Sequence, residues 1–329
     1  MERYDESPEI ALKSGDVIFS KDGSLGNPAL IRELPDKATI NGTMMLVRLH
    51  DKVTPNFFYQ VLNSDSFLRL LHVLKSGSSI PHIFQRDMEN FKFKIPQSLK
   101  EQNQISSFLE VVDEKIGLLK KKYESYVNFK KYLMQQIFAQ KLRFANFTEE
   151  WKTVKIKDIF DERSEKGFSD LELLSVTLND GVIKRSEIES KDNSNENKSN
   201  YKHVLPDDIV YNSMRMWQGA SGVSSYEGIV SPAYTILIPK NAYSKFFGYY
   251  FKTNEMIHQF KKYSQGLTSD TWNLKYPLIS EIKIKIPSID EQKEITNVFE
   301  TIDLKTKILQ NNLEEVMTFK KGLLQQMFV

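Results

Sequence analysis

A unit of about 190 residues occurs twice in this chain, and any fold it adopts must accommodate that repetition. Lys94-Ile95-Pro96, followed by Glu101-Gln102, recurs as Lys285-Ile286-Pro287, followed by Glu291-Gln292. Phe129-Lys130-Lys131 with Gln135-Gln136 recurs as Phe319-Lys320-Lys321 with Gln325-Gln326. Upstream, Asp16-Val17-Ile18-Phe19 answers to Asp208-Ile209-Val210-Tyr211, Phe57-Phe58 to Phe246-Phe247, and the loop at Gly77 to the loop at Gly266. Each match lies 189–192 positions from its partner, and chance composition does not hold five blocks to one offset.

The copies agree at their ends and disagree in the loops after Asp16 and Asp208. A shared scaffold with divergent loops suits two related binding sites for different targets, and neutral drift of surface loops gives the same pattern. The second copy also carries a lead-in from Phe147 to about Pro206, with Trp151-Lys152 and a polar stretch at Lys191–Asn200. By the offset, the first copy lacks roughly 45 residues of that lead-in. A truncation, a shortened gene or a late start each accounts for the difference.

Asp208–Tyr211, Tyr234–Ile238 and the alternating Ile282–Ile286 read as strands, while Lys245–Phe251 and Glu255–Tyr263 read as short amphipathic helices. After these comes the sharpest pattern in the chain. Ile105, Leu109, Val112, Ile116, Leu119, Tyr123, Tyr126, Lys130, Leu133 and Ile137 alternate spacings of four and three without a slip. Ile295, Phe299, Ile302, Thr306, Leu309, Leu313, Val316, Lys320, Leu323 and Met327 repeat it. Such heptads predict a coiled coil, a rod of roughly 50 Å at 1.5 Å per residue. Lys130 and Lys320 interrupt the seam at equivalent positions, and polar seam residues set register at a cost in stability. For domains to sit at opposite ends of one rod, the helices must run antiparallel, with a pseudo-two-fold axis.

Several function classes fall away. With no cysteine there is no disulfide, thiolate nucleophile or thiolate zinc site, and the five histidines form no HExxH. No two glycines are spaced as GxG and no GxxxxGK[ST] occurs, so nucleotide-binding loops are missing. Neither Asn-Pro-Pro nor Asp-Pro-Pro is present to hold a flipped adenine. Glu281-Ile282-Lys283 is similar to the end of a nuclease metal site, but it alternates as a strand does, and its counterpart Asn90-Phe91-Lys92 lacks the carboxylate. The first 18 residues are polar and no apolar run reaches 18 residues, which predicts a cytoplasmic protein with no membrane partner. A net charge of only +2 means that any DNA contact must come from local basic clusters.

In the order of these elements the chain resembles the specificity subunits of type I restriction–modification systems. The residues that carry the resemblance are Gly15-Asp16-Val17 and Asp207-Asp208-Ile209, the two Lys-Ile-Pro and Glu-Gln junctions, the two Lys-Lys and Gln-Gln helix ends, and Phe147-Thr148-Glu149-Glu150-Trp151. The resemblance implies an α+β fold with two tandem target-recognition domains, each followed by a long helix, the helices pairing as an antiparallel coiled coil. Residues 1–96 would form the first domain, 97–143 its helix, 144–287 the second domain and 288–329 the last helix. It further implies a non-catalytic reader of a bipartite, asymmetric DNA site, with the coiled coil setting the gap between half-sites. Its partners would be double-stranded DNA, two adenine-N6 methyltransferase subunits and restriction subunits. The chain itself would hold no cofactor, leaving S-adenosylmethionine, ATP and Mg to those subunits.

Candidate DNA contacts lie in the divergent loops. In the second copy these are Asn212, Ser213, Arg215 and Gln218, then Gln265, Thr268 and Ser269. Arginine pairs bidentately with guanine and Asn or Gln with adenine, and short hydroxyls suit phosphates and base edges. Trp217 and Trp272 either wedge into DNA or anchor the loops. The matching residues of the first copy are Lys21, Asp22 and Ser24, then Lys75, Ser76 and Ser78. The lysines suit phosphates, and Asp22 suits a cytosine amino group. His82 reads as a packed or solvent histidine. Lys120-Lys121-Lys122 reads as a solvated helix face, and Lys191–Tyr201 as a loop ordered by DNA or a plain insertion. The competing reading is a coiled-coil interaction scaffold without DNA specificity, to which the near-zero net charge is suited.

Overall fold

Heptads without a proline or a slip favour uninterrupted helices. In the computed structural model, which describes residues 8–34, 36–76, 81–189, 194, 197–268 and 271–328, the two patterned segments are single helices, Leu99–Phe138 and Ile289–Met327. The first, at 40 residues, extends about 60 Å. The chain divides into two units, residues 1–125 with 307–329 and residues 126–306. Each unit thus holds the start of one long helix and the end of the other.

Within each unit the paired helices run antiparallel, and a polar contact in the seam fixes their register. Lys320 Nζ lies 2.5 Å from Asp113 Oδ1 in one unit, and Lys130 Nζ lies 2.6 Å from Asp303 Oδ1 in the other. Asp113 and Asp303 are repeat equivalents, as are Lys130 and Lys320. The same ion pair is therefore made twice with the helices' roles exchanged, the local signature of a pseudo-two-fold arrangement. Each aspartate also takes a hydrogen bond from the domain beside it, from Gln60 Nε2 at 3.2 Å to Asp113 and from the Tyr249 hydroxyl at 2.8 Å to Asp303. Burial and that aspartate together push the Tyr249 phenol well above its ordinary pKa.

Both copies build their domain on the same three antiparallel strands. In the first, Val17–Ser20 is the middle strand between Gly26–Leu30 and Met44–Val47. The second copy has Ile209–Asn212 between Ser221–Val223 and Tyr234–Pro239, and Phe160–Glu162 from the lead-in adds a fourth strand. The lead-in also supplies the hairpin Leu174–Thr177/Gly181–Lys184, which lies against the sheet through Gly181 and Gly222. A Cβ on Gly222 would stand 2.6 Å from the Gly181 Cα, so the approach needs a residue without a side chain there.

The repeated Glu-Gln motif explains how domain and helix join. Gln102 and Gln292 are buried near the starts of the long helices. Gln102 Oε1 accepts from the Thr54 amide and its Nε2 donates to the Pro96 carbonyl; Gln292 does the same with the Tyr243 amide and the Pro287 carbonyl. In both copies the glutamine thus ties the Ile-Pro junction to the residue that caps the next domain helix, Pro55–Val61 or Ser244–Tyr250. The preceding glutamate behaves differently. Glu101 is exposed, whereas Glu291 is buried, takes two 2.7 Å hydrogen bonds from Arg143 and one of 3.3 Å from Trp151 Nε1. The Glu291 carboxylate in turn holds the Arg143 guanidinium above its usual pKa.

Each core is closed by the far end of the other copy's helix. Phe138, at the end of the first helix, packs on Phe246 at 5.5 Å and Tyr250 at 5.1 Å in the second domain. Its equivalent Phe328 packs on Phe57 at 5.2 Å in the first. Phe57 and Phe246 are themselves repeat equivalents. This terminal dip corrects one seam assignment: Met327 is exposed, and Leu324 and Phe328 turn inward instead. The strand before Pro287 is also shorter than its alternation predicts. It begins at Lys283, and Glu281 occupies a turn where Lys155 and Lys157 each bind one of its oxygens, at 2.6 and 2.5 Å, holding its carboxyl down at about 2.

The register contact yields a direct test. Lys320→Asp places two carboxylates across the seam and lowers the melting temperature, and adding Asp113→Lys recovers most of the loss. A double-mutant cycle is expected to give a coupling of about 1 kcal/mol, because both groups are partly solvated. Strict additivity would show that the pair does not set register.

Candidate nucleic-acid interface

The divergent loops leave their sheets at equivalent places because an aspartate anchors each middle strand. Gly15 and Asp207, equivalent residues, both adopt left-handed backbone (φ +89° and +68°) that turns the chain into the strand. The next residue, Asp16 or Asp208, is buried. Asp16 accepts from the Lys13 amide at 2.7 Å and from Arg48 Nε at 2.9 Å; Asp208 accepts from the Leu205 amide at 2.8 Å and from Arg163 Nε at 2.7 Å. The arginines come from different places in the two copies, yet both are held above the usual guanidinium pKa by the hydrogen bond to their aspartate.

At the other end of these strands, one backbone contact repeats. The Ile83 amide donates to the Lys21 carbonyl at 2.9 Å, and the Leu274 amide donates to the Ser213 carbonyl at 2.8 Å. Ile83 and Leu274 are fully buried. Each copy thereby staples the loop after its first repeated strand to the segment following its second glycine loop. Residues some 60 positions apart become neighbours, and the two sets of candidate contacts in each copy form one surface.

In the second unit the staple is reinforced by aromatic packing. Trp217 and Trp272 meet edge-to-face at 5.3 Å, Trp217 Nε1 donates to the Met214 carbonyl at 3.0 Å, and Lys261 Nζ stands 5.5 Å over the Trp272 ring. The tryptophans are therefore loop anchors here. Around them Arg215, Gln218, Gln265 and Thr268 are exposed. Asn212 is half-buried, its Oδ1 accepting from the Met214 amide at 3.0 Å. With Arg215 it lines a polar cleft of about 990 Å³ bounded also by Thr177, Arg185, Asn200 and Ser231. Ser213 is the exception among the candidates. It is only 4% exposed and its hydroxyl shares a 2.8 Å hydrogen bond with Thr235, so it holds the sheet together and is withdrawn from DNA.

In the first unit Lys21 is half-buried and Ser24 exposed. The Asp22 carboxylate contacts His82 Nδ1 across an isolated bridge, so one of its oxygens is already taken. Lys75 and Ser76 are exposed but lie in the last turn of the helix Asp65–Ser76, not in a loop. Two exposed residues in this region escaped the sequence reading. Phe84 has the His82 ring 4.3 Å away and the Arg86 guanidinium 4.8 Å above its face. Their signal was the basic and aromatic interleaving of His82-Ile83-Phe84-Gln85-Arg86. Ser78, Ser269, the loop at Gly77 and most of Lys191–Glu196 lie outside the described residues.

Comparison with known proteins agrees along the whole chain. The family described as type I restriction modification DNA specificity domain matches residues 4–125 and 148–318. Two relatives come from Methanocaldococcus jannaschii. The type I restriction enzyme MjaVIII specificity subunit is 25% identical, over 96% of this chain and 79% of its own length. The putative type I restriction enzyme MjaX specificity subunit is 23% identical, over 98% and 79%. Among solved structures, the type I restriction–modification system S subunit from M. genitalium matches with a TM-score of 0.61 at 18% identity, covering 96% of this chain and 83% of that one. A chain from a structure of complex assembly and conformational transition in the type I R-M system matches at 0.54 and 18%, covering 95% and 81%. At these identities the structural likeness establishes the shared fold.

The aspartate anchors differ measurably. Asp208→Ala strands an arginine whose side chain is only 11% exposed, and should lower stability by about 3–5 kcal/mol. Asp16→Ala should cost less, since Arg48 is 37% exposed and can turn to water. Denaturant unfolding of both variants measures the difference, and equal losses would contradict the burial argument.

Proposed function

Because the chain belongs to the type I restriction modification DNA specificity domain family, we propose that it reads a bipartite DNA target for such a system and carries no chemistry of its own. The observation that supports this most directly is the repeated staple. One backbone hydrogen bond, from Ile83 to Lys21 and from Leu274 to Ser213, gathers two loops into one surface in each copy, while the loop residues themselves differ. Two equivalent frames carrying different side chains suit two different half-sites. Arg215 and Gln218 read bases in one half; Lys21 and Lys75 hold phosphates in the other, with Ser24, Ser76, Gln265 and Thr268 as short-range donors. Arg86 and Phe84 join that list on the strength of their exposure.

The paired helices set the gap between half-sites, since a locked register leaves the spacing no freedom to slide. Their outer faces dock the partners. Leu118 and its equivalent Ile308 are exposed, as are Phe129 and its equivalent Phe319. An apolar pattern displayed twice fits two copies of one partner, which the family resemblance supplies as methyltransferase subunits bringing S-adenosylmethionine. Restriction subunits, with ATP and Mg, join that assembly. Such complexes act on cellular DNA, which places this one in the cytoplasm.

The test is co-expression with a cognate methyltransferase subunit and mapping of adenine methylation across a genome. A split motif with two different halves is expected. Methylation without a defined motif would return the chain to a scaffold role. Arg215→Ala should relax one half-site only, by about 1–3 kcal/mol of discrimination, and an unchanged motif would remove Arg215 from the readers. Deleting one heptad from both helices should shorten the gap or abolish assembly; an unaltered motif would sink the ruler.

A further inference from the structure

Leu267 is the most exposed large apolar side chain described in this protein, at 100%. Single exposed leucines are ordinary on protein surfaces. This one differs because its backbone is pinned, so the fold offers no route to recover its area. Gln265 and Asn273 exchange backbone hydrogen bonds of 3.0 and 2.8 Å across the base of its loop. Thr268 and Thr271 are bonded backbone to side chain in both directions, at 3.1 and 3.0 Å. Between them Gly266 sits at φ +149°, and a Cβ there would come within 2.6 Å of the Thr271 carbonyl, so the turn is built tightly around glycine. The loop base is tied through Trp272 to Trp217, between Arg215 and Gln218 on the reading surface.

All the residues around Leu267 that face solvent are hydrogen-bonding types: Gln265, Thr268, Arg215 and Gln218. One aliphatic group held out among donors and acceptors matches a surface that is itself polar with one apolar knob. In the DNA major groove, base edges offer donors, acceptors and a single kind of apolar group, the thymine 5-methyl. We propose that Leu267 is a specificity-determining residue that packs on a thymine methyl in the half-site read by the second domain. The proposal rests on the DNA-reading function above and adds the identity of one contacted group. Arg215 and Gln218 recognise by hydrogen bonds, whereas Leu267 recognises by burial of a methyl, and it needs a thymine at one fixed position.

The experiment uses the assembled complex with duplexes carrying its mapped target, in which each thymine of the second domain's half-site is replaced in turn by deoxyuridine. That change deletes the methyl and keeps the pairing. One substitution should weaken binding about fourfold, the value for roughly 0.8 kcal/mol per buried methyl. In the Leu267→Ala complex the same substitution should have no effect, while arginine-dependent discrimination at other positions persists. A half-site without thymine, uniform indifference to deoxyuridine, or an unchanged thymine preference in Leu267→Ala would each overturn the proposal. A loss in Leu267→Ala that ignores the methyl would instead make the residue a wedge between base pairs, and also overturns it. If the parent complex shows no defined second half-site, the failure belongs to the DNA-reading function itself.

Discussion

Every other feature of this molecule depends on the antiparallel pairing of its two long helices. The pairing is what lets Phe328 fill the core beside Phe57 and Phe138 fill the core beside Phe246. Neither domain closes its own core with its own helix end. Each borrows the end of the other copy's helix, so the tandem arrangement is a requirement for burial and not merely a duplication. Dispersion and hydrophobic terms at those aromatic contacts favour close approach but are indifferent to sliding by one heptad. The Lys130–Asp303 and Lys320–Asp113 pairs are directional, and they settle the register that the apolar seam leaves open.

Those pairs also couple helix register to domain placement. Asp113 and Asp303 each accept a second hydrogen bond from their own domain, from Gln60 and Tyr249. A shift of the helices would therefore strand a carboxylate, a lysine and a domain donor together. Further along, Gln102 and Gln292 tie each Ile-Pro junction to the cap of a domain helix. In this way the rigid elements reach the strands that present the loops, and loop sequence is free to vary without disturbing the frame.

The candidate surface was legible where it depends on residue type and opaque where it depends on neighbours. Arg215, Gln218, Gln265 and Thr268 are exposed beside one another, as their loop positions and chemistry suggest. Ser213 looks no different from them in sequence, but strand pairing with Tyr234–Pro239 turns it inward onto Thr235. Asp22 likewise looks available, until a bridge across some 60 residues brings His82 to its carboxylate. Nor does any local pattern announce that Trp217 and Trp272 face each other, or that Phe84 lies under Arg86. Such outcomes follow from pairings between distant segments, which residue spacing does not encode.

The sequence by itself determined the duplication, the two uninterrupted helices and the equivalence of Lys130 with Lys320, because periodicity and repetition are local properties written along the chain. It also determined the family, through the order of short motifs. Tertiary structure alone decided what those lysines face, which helix end fills which core, and why Glu291 is buried against Arg143 while Glu101 stays in water. The physical reason is common to all three. A charge or a ring acquires its energy from what stands within a few ångströms of it, and here those partners are brought from the opposite copy or from the far end of the same one.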